Sequence, residues 1–160
     1  MAPFFHGYIS QGPETDLMEA FPIHTEKFFS VISAIPEEKH DYAYAPGKWT
    51  IREVVQHIID TERVFNYRTL CFARNSPTPL PGFDENLFAA NSKAAKRNWN
   101  DLLEEFRALR TSSRLMYAAF DEDQLDGSGT ANNNPAYVLG MGYTTLGHVT
   151  HHLNILEERY

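Results

Sequence analysis

Four stretches of this chain repeat apolar residues every three or four positions, the period that lays them along one face of an α-helix. In the first, from about Asp16 to Ile35, the stripe is Leu17, Phe21, Phe28, Val31, Ile32 and Ile35; Pro22 predicts an early kink and Pro36 closes the segment. The second opens on Thr50-Ile-Arg-Glu53, a capping box in which hydroxyl and carboxylate satisfy the exposed amides of a helix start, and runs to about Arg74. Projected at 100° per residue, Ile51, Val54, Val55, Ile58, Phe65, Thr69 and Phe72 form its apolar arc, with Arg52, Gln56, Asp60, Arg63 and Tyr67 opposite. A third helix is predicted from Ser92 or Asn98 to Phe120, burying Trp99, Leu102, Leu103, Phe106, Leu109, Met116, Tyr117 and Phe120. The fourth follows Asn134-Pro135, an N-cap and first helical position, and extends to about Arg159. Gly140, Gly142 and Gly147 either weaken that helix or let another backbone come close to it.

The connections carry different signals. Residues 1–15 hold Pro3, Gly7, Gly12 and Pro13 among aromatics and predict an irregular arm with no helix. The segment from Asn75 to Phe83 is a Pro-rich loop, after which Asp84 caps a short helix through Asn91. Asp121 to Asn134, with two glycines and three consecutive asparagines, predicts a solvent-exposed loop. No alternating strand pattern of useful length is present. The expected architecture is therefore all-α: a four-helix bundle with at least one long crossover, in a single domain of 160 residues.

Charge narrows the partners. A net charge of -7 argues against nucleic acid or an anionic membrane as the main partner, because phosphate binding needs clustered Lys and Arg. No segment approaches the ~20 apolar residues of a membrane span, and the N-terminus lacks the basic and apolar regions of a signal peptide. Cys71 is the only cysteine, which rules out an internal disulfide and suits a packed thiol on a helix. A cytoplasmic protein is expected.

The candidate chemistry is in the histidines. On the fourth helix, Leu146, Val149, Leu153 and Leu156 set the core direction, and Met141, His148, His152 and Ile155 extend that arc. His151 falls instead with Gly147, Asn154 and Glu158 on the polar side, facing solvent or a partner chain. His148 and His152, four residues apart, can aim at one cation. His57, at the border of the second helix's arc, is the best third candidate. Three neutral imidazoles suit Zn²⁺, Ni²⁺ or Fe²⁺ and leave a position for water or substrate, where a cation acidifies water or activates a thiol. The other reading of the same residues is core histidines satisfied by hydrogen bonds. Glu62 lies inside the apolar arc of the second helix, where a carboxylate needs a partner. It is either a general base or a carboxylate that orients a metal-binding ring, or the structural partner of an arginine or amide. Asp60, one turn from His57, can orient a ring or a water, although it leans toward solvent.

The run Gly47-Lys48-Trp49-Thr50 through His57 to Arg63, the segment Pro81-Gly82-Phe83-Asp84-Glu85-Asn86, and the closing Gly147-His148 … His151-His152-Leu153-Asn154 together resemble the DinB-like superfamily of bacterial metalloenzymes. The resemblance covers the chain from about Leu17. It implies a four-helix bundle whose metal is held by three histidines, roles that fall on His57, His148 and His152. It also implies a divalent metal, Zn or Ni first and Fe next, homodimers, and a small-molecule substrate. Characterised members include transferases and isomerases that use low-molecular-weight thiols such as bacillithiol or mycothiol. The expectation is a metal-dependent S-transferase or hydrolase, with a non-catalytic stress or binding protein held together by a structural metal as the alternative.

Overall fold

The computed structural model describes residues 3–10 and 16–160, residues 3–5 by their backbone alone. Seven helices, α1 (Pro3–Ile9), α2 (Leu17–Ser33), α3 (Ile51–Ala73), α4 (Glu85–Asn91), α5 (Trp99–Ala118), α6 (Glu122–Leu125) and α7 (Val138–Arg159), are joined by one hairpin, β1 (Ser128–Ala131) and β2 (Asn134–Tyr137). The four long helices form a bundle in which α7 packs between α2 and α3, and α5 closes the ring on the other side. Two connections are long: residues 74–98 between α3 and α5, and residues 119–137 between α5 and α7. Among the described residues, no helix is long and apolar enough to cross a membrane.

Helix starts follow their caps. Thr50 and Glu53 form the reciprocal box that opens α3, the hydroxyl accepting from the Glu53 amide at 3.2 Å and the carboxylate from the Thr50 amide at 2.8 Å. Asp84 caps α4, and Asn98 caps α5, which begins at Trp99 after a 3₁₀ turn at Ala94–Lys96. Helix α2 runs through Pro22 after Asp16 caps it.

Three expectations are corrected. The N-terminal arm contains α1, which packs on α7; residues 1, 2 and 11–15 of that arm lie outside the described residues. Local composition hid this helix, because its partner surface is 139 residues away in sequence: the Tyr8 carbonyl lies where a Cβ on Gly147 would be. The exposed-loop reading of 121–134 is replaced by α6 and the β1–β2 hairpin. Its turn residues Asn132 and Asn133 both have positive φ, the asparagine-tolerated geometry that matches strand twist. Asn134 and Pro135 accordingly belong to β2, where Pro135 pairs with Thr130, and α7 begins at Val138 without a side-chain cap. Leu80 of the α3–α5 connection adds a bridge to Ala131, so the connection and the hairpin hold each other.

The core has two apolar clusters with a polar layer between them. One gathers Leu17, Phe21, Phe65, Phe72, Tyr117, Met141 and Leu146; the other gathers Phe28, Ile32, Ile51, Ile58, Leu102, Phe106, Val149 and Leu153. Between them lie Glu62, Arg110, Ser113, His24, Thr150, His57 and His148, all buried. Glu62, 1% exposed, accepts from Arg110 at 2.7 Å and from the Ser113 hydroxyl at 2.6 Å, and Asn66 donates to Ser113 at 2.8 Å. This network ties α3 to α5. His24 and Thr150, 3.0 Å apart, tie α2 to α7.

Removing one member of a buried ion pair leaves the other charge uncompensated. Glu62→Ala is expected to lower unfolding free energy by about 3–5 kcal/mol, and the double variant Glu62→Leu/Arg110→Met to recover most of that loss, as read by urea denaturation. Gly147→Ala, which places a methyl group 1.8 Å from the Tyr8 carbonyl oxygen, is expected to dislodge α1 while leaving the bundle folded. Faster amide exchange confined to residues 3–10 is the corresponding observation.

Candidate metal centre

Packing of α3 against α7 brings three histidines together. His57 stands on the second turn of α3, held there by the Thr50–Glu53 start and by Ile51, Val54, Val55 and Ile58 in the core. His148 and His152 stand on successive turns of α7, aimed inward by Leu146, Val149 and Leu153. The Nε2 atom of His148 is 3.1 Å from that of His57 and 3.1 Å from that of His152. All three ligand nitrogens lie within 4.8 Å of one another. Two imidazole nitrogens bound tetrahedrally at 2.0–2.1 Å stand roughly 3.4 Å apart, so the spacing fits a single cation. Among the described residues, no fourth His, Cys, Asp or Glu joins the group.

The protonation states fit as well. Burial, reinforced by the neighbouring imidazoles, holds His148 well below the ordinary histidine range and His152 down at about 3; burial, with His151 adding to it, lowers His57 to about 4. The metal-free histidines are therefore neutral near pH 7, each with a lone pair to offer. The Thr61 hydroxyl lies 3.4 Å from His57 Nδ1, where it can accept a hydrogen bond from Nδ1–H in the tautomer that leaves the Nε2 lone pair free. A neutral ring nitrogen either donates or accepts. With three such nitrogens facing one point, a cation satisfies them together where protons cannot.

The cluster opens on a chamber of about 200 Å³. One stripe of α3, consisting of His57, Thr61, Phe65 and Arg68, runs along it, together with Trp49, Phe83, Glu85 and Asn132 from the connections and Tyr8 from α1. The Tyr8 ring meets His148 edge-on at 5.4 Å and His151 at 5.6 Å. His151 is thus half-buried beside the cluster and lines the chamber, because the face of α7 that reads as polar is covered by α1. Sequence periodicity placed it outside; Gly147, next to it on the wheel, was the sign that another backbone approaches there.

The two carboxylates stand elsewhere. Glu62 points to α5, where Arg110 and Ser113 occupy it, and Asp60 accepts from Gln56 at 2.9 Å while Gln56 accepts from Arg97 at 2.9 Å. Neither lines the chamber. Asp60 nevertheless titrates above the usual carboxylate range, mainly because it is half-buried. Arg68, Thr61 and Trp49 were not singled out from the sequence, whereas Tyr8 is one of the arm aromatics expected at the mouth of the site. For Thr61 and Arg68 the available signal was their place, at i+4 and i+11, on the helical stripe that carries His57.

Fold and site together define a helical-bundle protein with a cluster of three histidines, spaced to hold one cation, open to a chamber. A family model of the DinB superfamily matches residues 20–156, and the chain belongs to that superfamily. Among solved structures it is similar to YfiT from Bacillus subtilis, described as a probable metal-dependent hydrolase with an unusual four-helix bundle topology. The two agree with a TM-score of 0.75 at 14% sequence identity, over 91% of this chain and 89% of that one. No curated protein matches the sequence.

Acid should act on the centre in a defined direction. Each histidine binds its proton less readily in the folded protein than in the unfolded chain, whose value is near 6.5, so the unfolded state takes up more protons once the pH drops below that value. The stability contributed by the neutral cluster is full above about pH 6.5 and is lost as pH falls toward the folded values of about 4 and about 3. In chelator-treated protein, the urea midpoint should fall between pH 6.5 and 4.5, and fall less steeply in His57→Gln.

Proposed function

We propose that this chain is a divalent-metal-dependent hydrolase of a small molecule, with His57, His148 and His152 as the metal ligands and the adjoining chamber as the substrate site. The observation that carries this reading is the incomplete shell: three imidazoles converge, no fourth protein ligand is present among the described residues, and the open side faces the chamber. A structural zinc is closed by four protein ligands, whereas a catalytic one keeps a position free. The fold shared with YfiT, itself described as a probable metal-dependent hydrolase, points the same way.

When bound, Zn²⁺ or a similar cation supplies Lewis acidity to water, or to a low-molecular-weight thiol, in the chamber. The chain's own residues do the rest. Thr61 fixes the His57 ring so that its Nε2 faces the other two nitrogens. Trp49 lies against His57, ring centroids 4.7 Å apart, and Phe65 meets His148 edge-on at 5.8 Å; these apolar surfaces keep bulk water from the ligand side of the cluster. Tyr8 covers the α7 side. Glu62, held by Arg110, keeps α3 and α5 in register and takes no part in proton transfer in this reading.

The test is elemental analysis of protein purified without a metal-affinity tag, followed by assay of small esters, amides and lactones with and without added thiols. About one equivalent of metal per chain, its loss in His148→Ala, and a hydrolysis abolished by chelator and restored by zinc or nickel are expected. Turnover only with an added thiol would reassign the reaction to thiol transfer. Absence of metal, or a bound metal with no turnover and a fourth protein ligand in its shell, would overturn the hydrolase reading.

A further inference from the structure

Arg68 is the buried charged residue of the chamber, and among the described residues it has no counter-ion. It is 5% exposed, and its Nη2 donates to the Pro81 carbonyl at 2.9 Å while the Phe83 ring lies 5.8 Å from its guanidinium carbon. Among the described residues it forms no ion pair with any carboxylate. The contrast with Arg110 is direct, since that equally buried guanidinium is matched by Glu62. Glu85, the carboxylate that lines the same chamber, is exposed and stands outside salt-bridge distance of Arg68. Burying a guanidinium with two neutral neighbours and no anion is costly, and burial indeed lowers its affinity for its proton. A planar fork of five N–H donors, with one hydrogen bond to the described residues, is built to take two oxygens of a carboxylate or phosphate.

We propose that Arg68 is the anion-binding residue of the chamber, so that the molecule taken by the three-histidine centre carries a carboxylate or phosphate group that pairs with this guanidinium. The inference rests on the metal-dependent reading for what happens at the other end of that molecule. Eleven residues separate His57 from Arg68 on α3, about 16 Å along the helix axis, and a long side chain on a helix leans back toward the N-terminus, here toward His57. The anionic group recognised by Arg68 is therefore distinct from the group that reacts at the histidines. The ligand class is a small molecule with an anionic end and a separate reacting end. Arg68 positions it; the histidines do the chemistry.

Calorimetric titration with glutarate and with inorganic phosphate, on metal-free and zinc-loaded protein, tests this. Wild type is expected to bind at least one of the two. Arg68→Gln should weaken that binding by at least about tenfold and Arg68→Lys, which keeps a charge and a donor for Pro81, by less. The two probes separate a carboxylate from a phosphate. Imidazole, a neutral probe of the metal, should bind zinc-loaded Arg68→Gln and wild type alike. Binding of neither anion by wild type, equal binding by Arg68→Gln, or a parallel loss of imidazole binding that marks collapse of the loop would each overturn the proposal. If the protein takes up no zinc, the hydrolase reading fails, and the metal-free titrations alone decide the role of Arg68.

Discussion

Polar groups buried in the middle of an apolar bundle must find partners, and that requirement organises this molecule. Between its two hydrophobic clusters lies a layer in which Glu62, Arg110, Ser113 and Asn66 satisfy one another across α3 and α5, and His24 meets Thr150 across α2 and α7. The third pairing in the layer, α3 with α7, is made by three imidazoles that offer lone pairs to a common point. Among the described residues no carboxylate joins them, and burial keeps the rings uncharged at neutral pH, each with a lone pair to offer. What the first two pairings achieve with hydrogen bonds and an ion pair, the third would achieve with the cation we propose.

The division of labour follows from rigidity. Ligands projecting from packed helices are held by the cores on either side of the layer, so their spacing is a property of the bundle. The walls of the chamber come from elsewhere: α1, the α3–α5 connection and the Asn132 turn of the hairpin. These segments are tied down by specific contacts, among them the approach of Tyr8 to Gly147, the Leu80–Ala131 bridge and the Arg68–Pro81 hydrogen bond. The centre can therefore stay the same while the chamber changes through its loops, the usual arrangement in which function is grafted on a scaffold.

Sequence periodicity worked wherever burial is decided by a helix's own face. The stripes of α2, α3 and α5, the capping box at Thr50, and the inward direction of His148 and His152 are of this kind. It failed where a distant segment changed the environment. His151 and Gly147 share a face that lacks large apolar residues, and α1 covers it through a backbone contact that needs no apolar side chain on α7. Gln56, on the polar side of α3, is buried against Arg97 of the connection. The hairpin was missed because four-residue strands with glycine and proline carry almost no alternation, and their pairing depends on Leu80 from another part of the chain.

Glu62 marks the boundary between the two sources of information. Its position inside an apolar arc showed that a carboxylate is buried and must be partnered; whether the partner is a substrate proton or an arginine depends on which helix lies opposite. Local sequence determined the four long helices, the starts of α2 and α3, and the large apolar faces that turn inward, because period and capping are properties of neighbouring residues. Only the tertiary structure decided that α5 presents Arg110 to Glu62, that α7 presents two histidines to His57, and that Arg68 enters the same chamber without a counter-ion. Those are contacts between residues far apart in the chain, set by the order in which the helices pack around the bundle.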